Sequence, residues 1–517
     1  MAKAGHFFSH NIRINYCPCE GGRNRADLIH NILSRPMTNI IRLFFIFLSV
    51  SGIFVLGRSL YKYSQFSYPD FIDLLQFDKL GLTVFYVLPA ALSISALLVL
   101  RLEAAVRKKL FIHSVTIIIG IYAAELYIAF KPVKPAILYQ VEAAKSAGRP
   151  NDARSRQEYV MALRKAGIDA YPYAGGGELL DHGNWTNGRL ISPIMVENQQ
   201  FVPLAGISKK PTVLCKEPGT WLTYLADRYG FNNPDYVWDT NPVQLSIIGD
   251  SFIHGYCLPN EAHAMQQVRR IFPNMVNLGF SGRGALQYLA TLIEYGPLIR
   301  PKVVIWVHYE NDIEDMKSEI SNDVLSNYIN HKNFRQGMFE HQKKVDAATM
   351  KYINNFMKTR GTGLLGERGL KFSEPVPTTV DFFNVLALRY LRNVFKVYFK
   401  REQNDLNLFK RVISRALEVV KSWNGKIYFV YRPLGHRGYP GSSVVLRKYD
   451  YERKNVLSIV ERAGIPIIDL LPIFKEDLPE PWNLFPGSHY AHAGHNLFAD
   501  TVLKRLKIDG VTPDPVN

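Results

Sequence analysis

The sequence predicts a three-layer α/β domain on a parallel sheet, preceded by an N-terminal region of transmembrane helices. Three observations carry this. Short apolar runs alternate with helix-length amphipathic runs from about Gln244 onward, the signature of a parallel sheet covered on both faces. Long uncharged runs crowd the first third of the chain. Arginine and lysine cluster beside those runs.

The candidate spans are Ile40 to Leu56, Gly81 to Leu100 and Leu110 to Phe130. A span needs roughly 20 mostly apolar residues. The second run meets this outright, although it contains Pro89. The first is short unless Arg42 reaches the headgroups, and the third must place Glu125 at an interface or pair it within the helix group. Arg13, Arg23, Arg25 and Arg35 precede the first run, and Arg101, Arg107, Lys108 and Lys109 lie between the second and third. The positive-inside rule then holds the N-terminal tail and the second loop in the cytoplasm. Three spans deliver everything after Phe130 to the other side, giving a multi-pass protein of the inner membrane with its main domain periplasmic or extracellular. This local clustering also accounts for much of the formal net charge of +17, so the charge indicates a membrane and no nucleic acid.

The cysteines fit that topology. Cys17 and Cys19 fall inside, where thiols stay reduced; Cys215 and Cys257 fall outside, where a disulfide persists. A bridge between the outer pair is expected, with two unrelated buried thiols as the alternative.

The chain therefore divides into a basic tail over 1–38, three spans over 39–131, an irregular Gly- and Pro-rich lead-in over 132–241, and an α/β domain over 242–510. Strands are expected at Gln244–Ile248, Met275–Leu278, Val303–Val307, Lys426–Tyr431 and Ile465–Ile468. Helical patterns lie at Ala262–Ile271, Ala285–Tyr295, Leu408–Ser422 and Tyr449–Ala463, with a last helix from about Gly494. A charged, helix-like insertion over about 314–371 interrupts the alternation, as a lid or as a solvated excursion. In such sheets ligands bind at the carboxyl ends of the strands.

The candidate chemistry sits at those ends. Gly249-Asp250-Ser251-Phe252 follows the first strand, and a serine on a tight strand-to-helix turn offers an exposed hydroxyl beside a backbone N–H. Asn277-Leu278-Gly279-Phe280-Ser281-Gly282 follows the second strand, Glu310-Asn311-Asp312 the third, and His489 precedes the last helix. These four pieces, in this order, resemble the SGNH hydrolases, also called the GDSL esterase/lipase class, over roughly Leu245 to Leu506. The resemblance implies Ser251 as nucleophile, His489 as general base, and an oxyanion hole from Ser251, Gly282 and Asn311. It implies no cofactor. The activity it implies is hydrolysis of O-acyl esters, acetyl foremost, on cell-envelope glycans or lipids. O-acyl transfer during polysaccharide modification, alongside assembly partners, is a second reading, and a degenerate glycan-binding scaffold is a third.

Two positions depart from the family pattern. Tyr309 stands where a glycine is usual. Pro486 stands where the family carries the aspartate that orients the imidazole. Asp469, Glu476, Asp477 and Glu480 are nearby carboxylates in sequence. His489, His492 and His495 invite a zinc reading, but no accompanying Cys or carboxylate pattern completes a site, so no metal is expected. Arg432, ending the fourth strand, is read either as a contact for a substrate anion or as the partner of a structural carboxylate.

Overall fold

The computed structural model describes residues 25–65, 82–130, 152, 154–175, 179–180, 185–186, 189–216, 219–359, 382–395, 403–433, 443–477, 489–490 and 492–513. The first elements are helices α1 (Arg25–Gln65), α2 (Leu88–Val99) and α3 (Ala104–Phe130). Two stretches, Met37–Tyr61 and Ala104–Phe130, are long and apolar enough to cross a membrane. Their large side chains point outward: Phe47 is 70% exposed, Phe54 68% and Ile119 63%. Water disfavours so continuous an apolar surface, whereas lipid tails accept it.

The middle run differs from expectation. It is the shortest helical stretch of the three, Thr83–Val99, not the plainest span. It opens with a wide π turn, Thr83–Val87, in which the N–H of Leu88 reaches Thr83 O. Pro89 follows in the first turn of α2, where it has no N–H to give. Ser93 ties the run to α1, its hydroxyl lying 2.8 Å from Pro89 O and 3.2 Å from Ser49 O.

Beyond the N-terminal apolar helices comes α4 (Arg156–Lys165), opened by a capping box between Ser155 and Glu158. A small sheet follows, formed by Tyr171–Pro172, Pro211–Cys215 and Leu222–Leu225. Its side chains do not form a separate core. Tyr171, Val213, Leu214 and Tyr224 share one cluster with Phe280 and Trp306 of the main domain.

The main sheet has five parallel strands: β1 (Leu245–Ile248), β2 (Met275–Asn277), β3 (Val303–Tyr309), β4 (Lys426–Arg432) and β5 (Ile467–Asp469). Their order is β5-β4-β3-β1-β2. Every residue of the central β3 is buried, which explains its unbroken apolar run. Its side chains alternate between two cores. Val303, Ile305 and Val307 pack on one face with Ile247, Val430 and Val502. Val304 and Trp306 pack on the other with Leu289, Phe429 and Phe409. The layers on either side are built by α5 (Ser251–His254), α6 (Ala264–Ile271), α7 (Ala285–Ile299), α8 (Asp312–Glu319), α9 (Asp323–Asn330), α10 (Met338–Thr359), α13 (Gln403–Lys421), α14 (Ser443–Arg462), α15 (Leu470–Asp477) and α16 (His492–Ile508), whereas α11 (Phe382–Leu386) and α12 (Arg389–Val394) pack against α3. The three-layer α/β architecture expected from the sequence is the one found.

The insertion is packed rather than solvated over its described part. Met338, Val345, Ile353 and Met357 enter the core. Buried Glu294 on α7 anchors it, accepting from Tyr328 Oη at 2.6 Å and from the N–H groups of Gln336 at 2.6 Å and Met338 at 2.9 Å. Residues 360–371 lie outside the described part.

After the insertion the chain returns to the N-terminal apolar helices. Glu125 on α3 is fully buried, and its two carboxylate oxygens accept from Tyr390 N at 2.9 Å and Leu391 N at 2.6 Å, in the first turn of α12. Tyr122 Oη donates to Leu386 O at 3.0 Å. Glu125 is thus held by backbone some 265 residues later, outside the N-terminal helix group in which a partner was expected.

Candidate active site

Three glycines let the strand ends approach each other. The side chain of Ile253, on α5, sits where a Cβ on Gly249 would lie, 2.7 Å from Ile253 Cγ1. A Cβ on Gly279 would meet Ile253 Cβ at 2.6 Å and its backbone carbonyl carbon at 2.7 Å. Gly255, with φ +91°, ends α5 against the ring of His263. Asn277 stitches the same contact, donating from Nδ2 to Ile253 O at 2.7 Å and accepting Gly279 N–H at 2.8 Å.

Asp250 caps α5, its Oδ1 accepting Phe252 N–H at 3.1 Å, which places Ser251 as the first helical residue. Ser251 Oγ lies 2.9 Å from His489 Nε2. It also lies 3.3 Å from Asp250 Oδ2. The imidazole is flanked by Phe252 and Tyr256, with ring centroids 4.9 and 4.6 Å away. Within hydrogen-bond distance of a serine, an imidazole nitrogen acts as acceptor when the ring proton is on Nδ1.

Gly282 stands at φ +68° in the turn after β2, a conformation that suits glycine. The N–H groups of Ser251 and Gly282 make no hydrogen bond among the described residues. Asn311 opens α8, and its Nδ2 donates to Asp315 at 2.8 Å. One of its amide hydrogens is therefore engaged, a feature the sequence reading did not include. Ser251, Gly282, Asn311 and His489 all retain solvent access, while Asp250, Phe252, Ser281, Arg283, Glu310 and Asp312 around them are buried.

The carboxylate beside this pair is Asp250. Burial pushes its carboxyl above the ordinary range, opposed first by the nearby positive charge of Arg432. Arg432 is itself buried, its guanidinium 3.6 Å from the Tyr490 ring centroid and over the ring of Phe252. Its Nη1 and Nη2 find no hydrogen-bond partner among the described residues. It pairs directly with no carboxylate there and acts on Asp250 through its field.

Asp469 is engaged elsewhere. It pairs with Arg453 and accepts Leu471 N–H at 3.1 Å, capping α15. The side chains of Glu476 and Asp477, and residues Glu480 and Pro486, lie outside the described part. His492 Nδ1 lies 3.0 Å from Ala262 O, and His495 Nδ1 accepts Ala264 N–H at 3.3 Å. These two imidazoles thus fasten α16 to the start of α6. Cys215 and Cys257 are joined by a disulfide with Cα atoms 5.6 Å apart, tying the small sheet to the loop after α5.

No protein-family model and no curated protein matches the sequence. Solved structures similar in fold include a member of the lipolytic G-D-S-L family from Veillonella parvula, at 12% identity and TM-score 0.28, covering 51% of this chain and 98% of that one. An acetylxylan esterase from Geobacillus stearothermophilus is similar at 15% identity and TM-score 0.29, covering 51% of this chain and 96% of that one. The reading of the site rests on its own geometry.

Several positioning residues escaped the sequence reading. His254 is buried, with Nδ1 2.8 Å from Ser281 Oγ and Nε2 3.0 Å from Tyr224 Oη. It stacks on Phe280, and burial holds it well below the usual histidine range, hence neutral. Tyr173 Oη donates to Ser281 O. Arg283 donates to Phe280 O, Leu204 O and Leu278 O. Glu319 accepts from the N–H groups of Gly284, Leu286 and Gln287, at 2.5, 3.0 and 3.2 Å. Together they fix the turn that carries Gly282. His254 lies one turn after Ser251, and its place in the sequence was the one signal available.

Proposed function

We propose that this chain is a membrane-tethered serine esterase of the SGNH class, with Ser251 as nucleophile and His489 as general base. The 2.9 Å approach of Ser251 Oγ to His489 Nε2 carries the reading. Ser251 Oγ attacks an ester carbonyl as its proton passes to Nε2. The oxyanion is held by the N–H groups of Ser251 and Gly282 and by the free amide hydrogen of Asn311. His489 then gives its proton to the departing alcohol. Water, deprotonated by the same nitrogen, attacks the acyl-serine, and the carboxylic acid leaves as Ser251 recovers its proton. The Asp250 carboxylate stabilises the transient imidazolium, the charge that the family's aspartate supplies from the position of Pro486.

The apolar helices at Met37–Tyr61 and Ala104–Phe130, with Thr83–Val99 between them and basic residues beside them, support a location of this unit on the outer face of the inner membrane. The Cys215–Cys257 bond supports an oxidising compartment. A tethered enzyme there meets envelope glycans and lipids, and their O-acyl groups, acetyl foremost, are its proposed substrates. The test is turnover of a small aryl acetate by the full-length chain in detergent, with fluorophosphonate labelling. Wild type turns over and is labelled; Ser251→Ala does neither. Equal rates in the two proteins would remove Ser251 from the role.

A further inference from the structure

A second cavity lies between the membrane helices and the returning pair α11 and α12. Its volume is about 660 Å³, ample for the upper part of a lipid. Val55, Phe85, Leu88, Ile121 and Leu391 supply apolar walls, and Arg58 and Arg392 supply the charge. No acidic side chain lines it among the described residues. Glu125 stands close by, but its oxygens are committed to the N–H groups of Tyr390 and Leu391. Arg392 Nε, inside the protein, has no hydrogen-bond partner among the described residues. Arg389, on the same short helix, adds a further positive charge.

We infer that this cleft binds an anionic phospholipid. The apolar walls take the proximal part of its acyl chains, and Arg58 and Arg392 take the phosphate. Both arginines belong to the same end of the helix group, near the C-terminal ends of α1 and α3. A cleft open between such helices is filled by the surrounding bilayer, and guanidinium groups prefer phosphate among the groups found at its surface. This binding is independent of the esterase chemistry proposed above. It also gives α11 and α12 a reason to leave the α/β domain: they complete the wall that α1 and α3 leave open.

The experiment is native mass spectrometry of the detergent-solubilised full-length chain, titrated with dioleoyl phosphatidylglycerol or dioleoyl phosphatidylcholine. The glycerol lipid is expected to bind about tenfold or more tightly than the choline lipid. The double variant Arg58→Gln/Arg392→Gln is expected to lose that preference while aryl acetate turnover is kept. Ala387→Trp, which keeps both arginines and narrows the cleft, is expected to weaken both lipids. Equal affinity for the two lipids in wild type, or phosphatidylglycerol binding unchanged in Ala387→Trp, would overturn the inference. So would an unaltered preference in the folded double variant.

Discussion

Ile253 occupies the space that a side chain at Gly279 would need: a Cβ there would stand 2.6 Å from Ile253 Cβ and 2.7 Å from its carbonyl carbon. Ile253 is two residues from Ser251, so this contact sets how far the nucleophile's turn can settle onto the strand ends. Gly279→Ala is expected to cost about 1–3 kcal/mol of stability and to lower turnover. Because the backbone is one of the atoms met, trimming Ile253 to alanine as well should restore stability only in part. Denaturant midpoints and aryl acetate rates of the three proteins check this.

Asn311 is expected to contribute through the transition state. Asn311→Ala should lower kcat by about 100- to 1000-fold with KM little changed, as for loss of one oxyanion donor. Asp315→Asn, which keeps a partner for the Asn311 amide, should have a much smaller effect. Steady-state kinetics on the same ester separate the two.

Glu319 holds three backbone N–H groups at the start of α7, two residues after Gly282 at the nearest. Glu319→Ala leaves those donors buried and unpaired, a loss of about 2–4 kcal/mol. Turnover should fall further than denaturation alone explains, since the Gly282 N–H loses its support. Measuring kcat well below the unfolding temperature tests the second part.

His263 makes the fold acid-sensitive. Its buried imidazole accepts Met265 N–H at 3.1 Å as the cap of α6, and burial, helped by Arg269, lowers it from 6.5 to about 3. Between those values the unfolded chain binds the extra proton, so stability falls as pH drops through the window. At pH 5 the loss from this group is about 2 kcal/mol. His263→Asn keeps a capping oxygen without titrating and should make the fall in melting temperature between pH 7 and pH 5 shallower, the remainder coming from buried His254, His308 and His495. A drop as steep as in wild type would assign the acid sensitivity to another group.

Much of the sheet was legible because each strand is short, apolar and closed by a residue with special backbone freedom or a polar site group. Gly249 and Gly279 mark two of those ends, and the observed strands begin and end within a few residues of the expected ones. Ser251 and His489 could be named because the four blocks, in order and each after its own strand, resemble those of the SGNH hydrolases. What stayed hidden depends on contacts between distant segments. Nothing local in Glu125 points to residue 390, and nothing in His254 points to Tyr224 or Ser281. The shape of the middle apolar run was half visible. Pro89 announced an irregularity, but the π turn before it is a backbone adjustment that hydropathy does not register.

The grip of Glu125 on α12 bears on how the protein is handled. A fragment beginning after residue 131 would strip away the carboxylate that receives the Tyr390 and Leu391 amides. It would also bare Phe382, Phe383 and Phe395, already more than half exposed, on an otherwise water-compatible surface. Such a fragment is expected to self-associate, so the enzymology of this chain belongs with its helices attached and a detergent or bilayer around them.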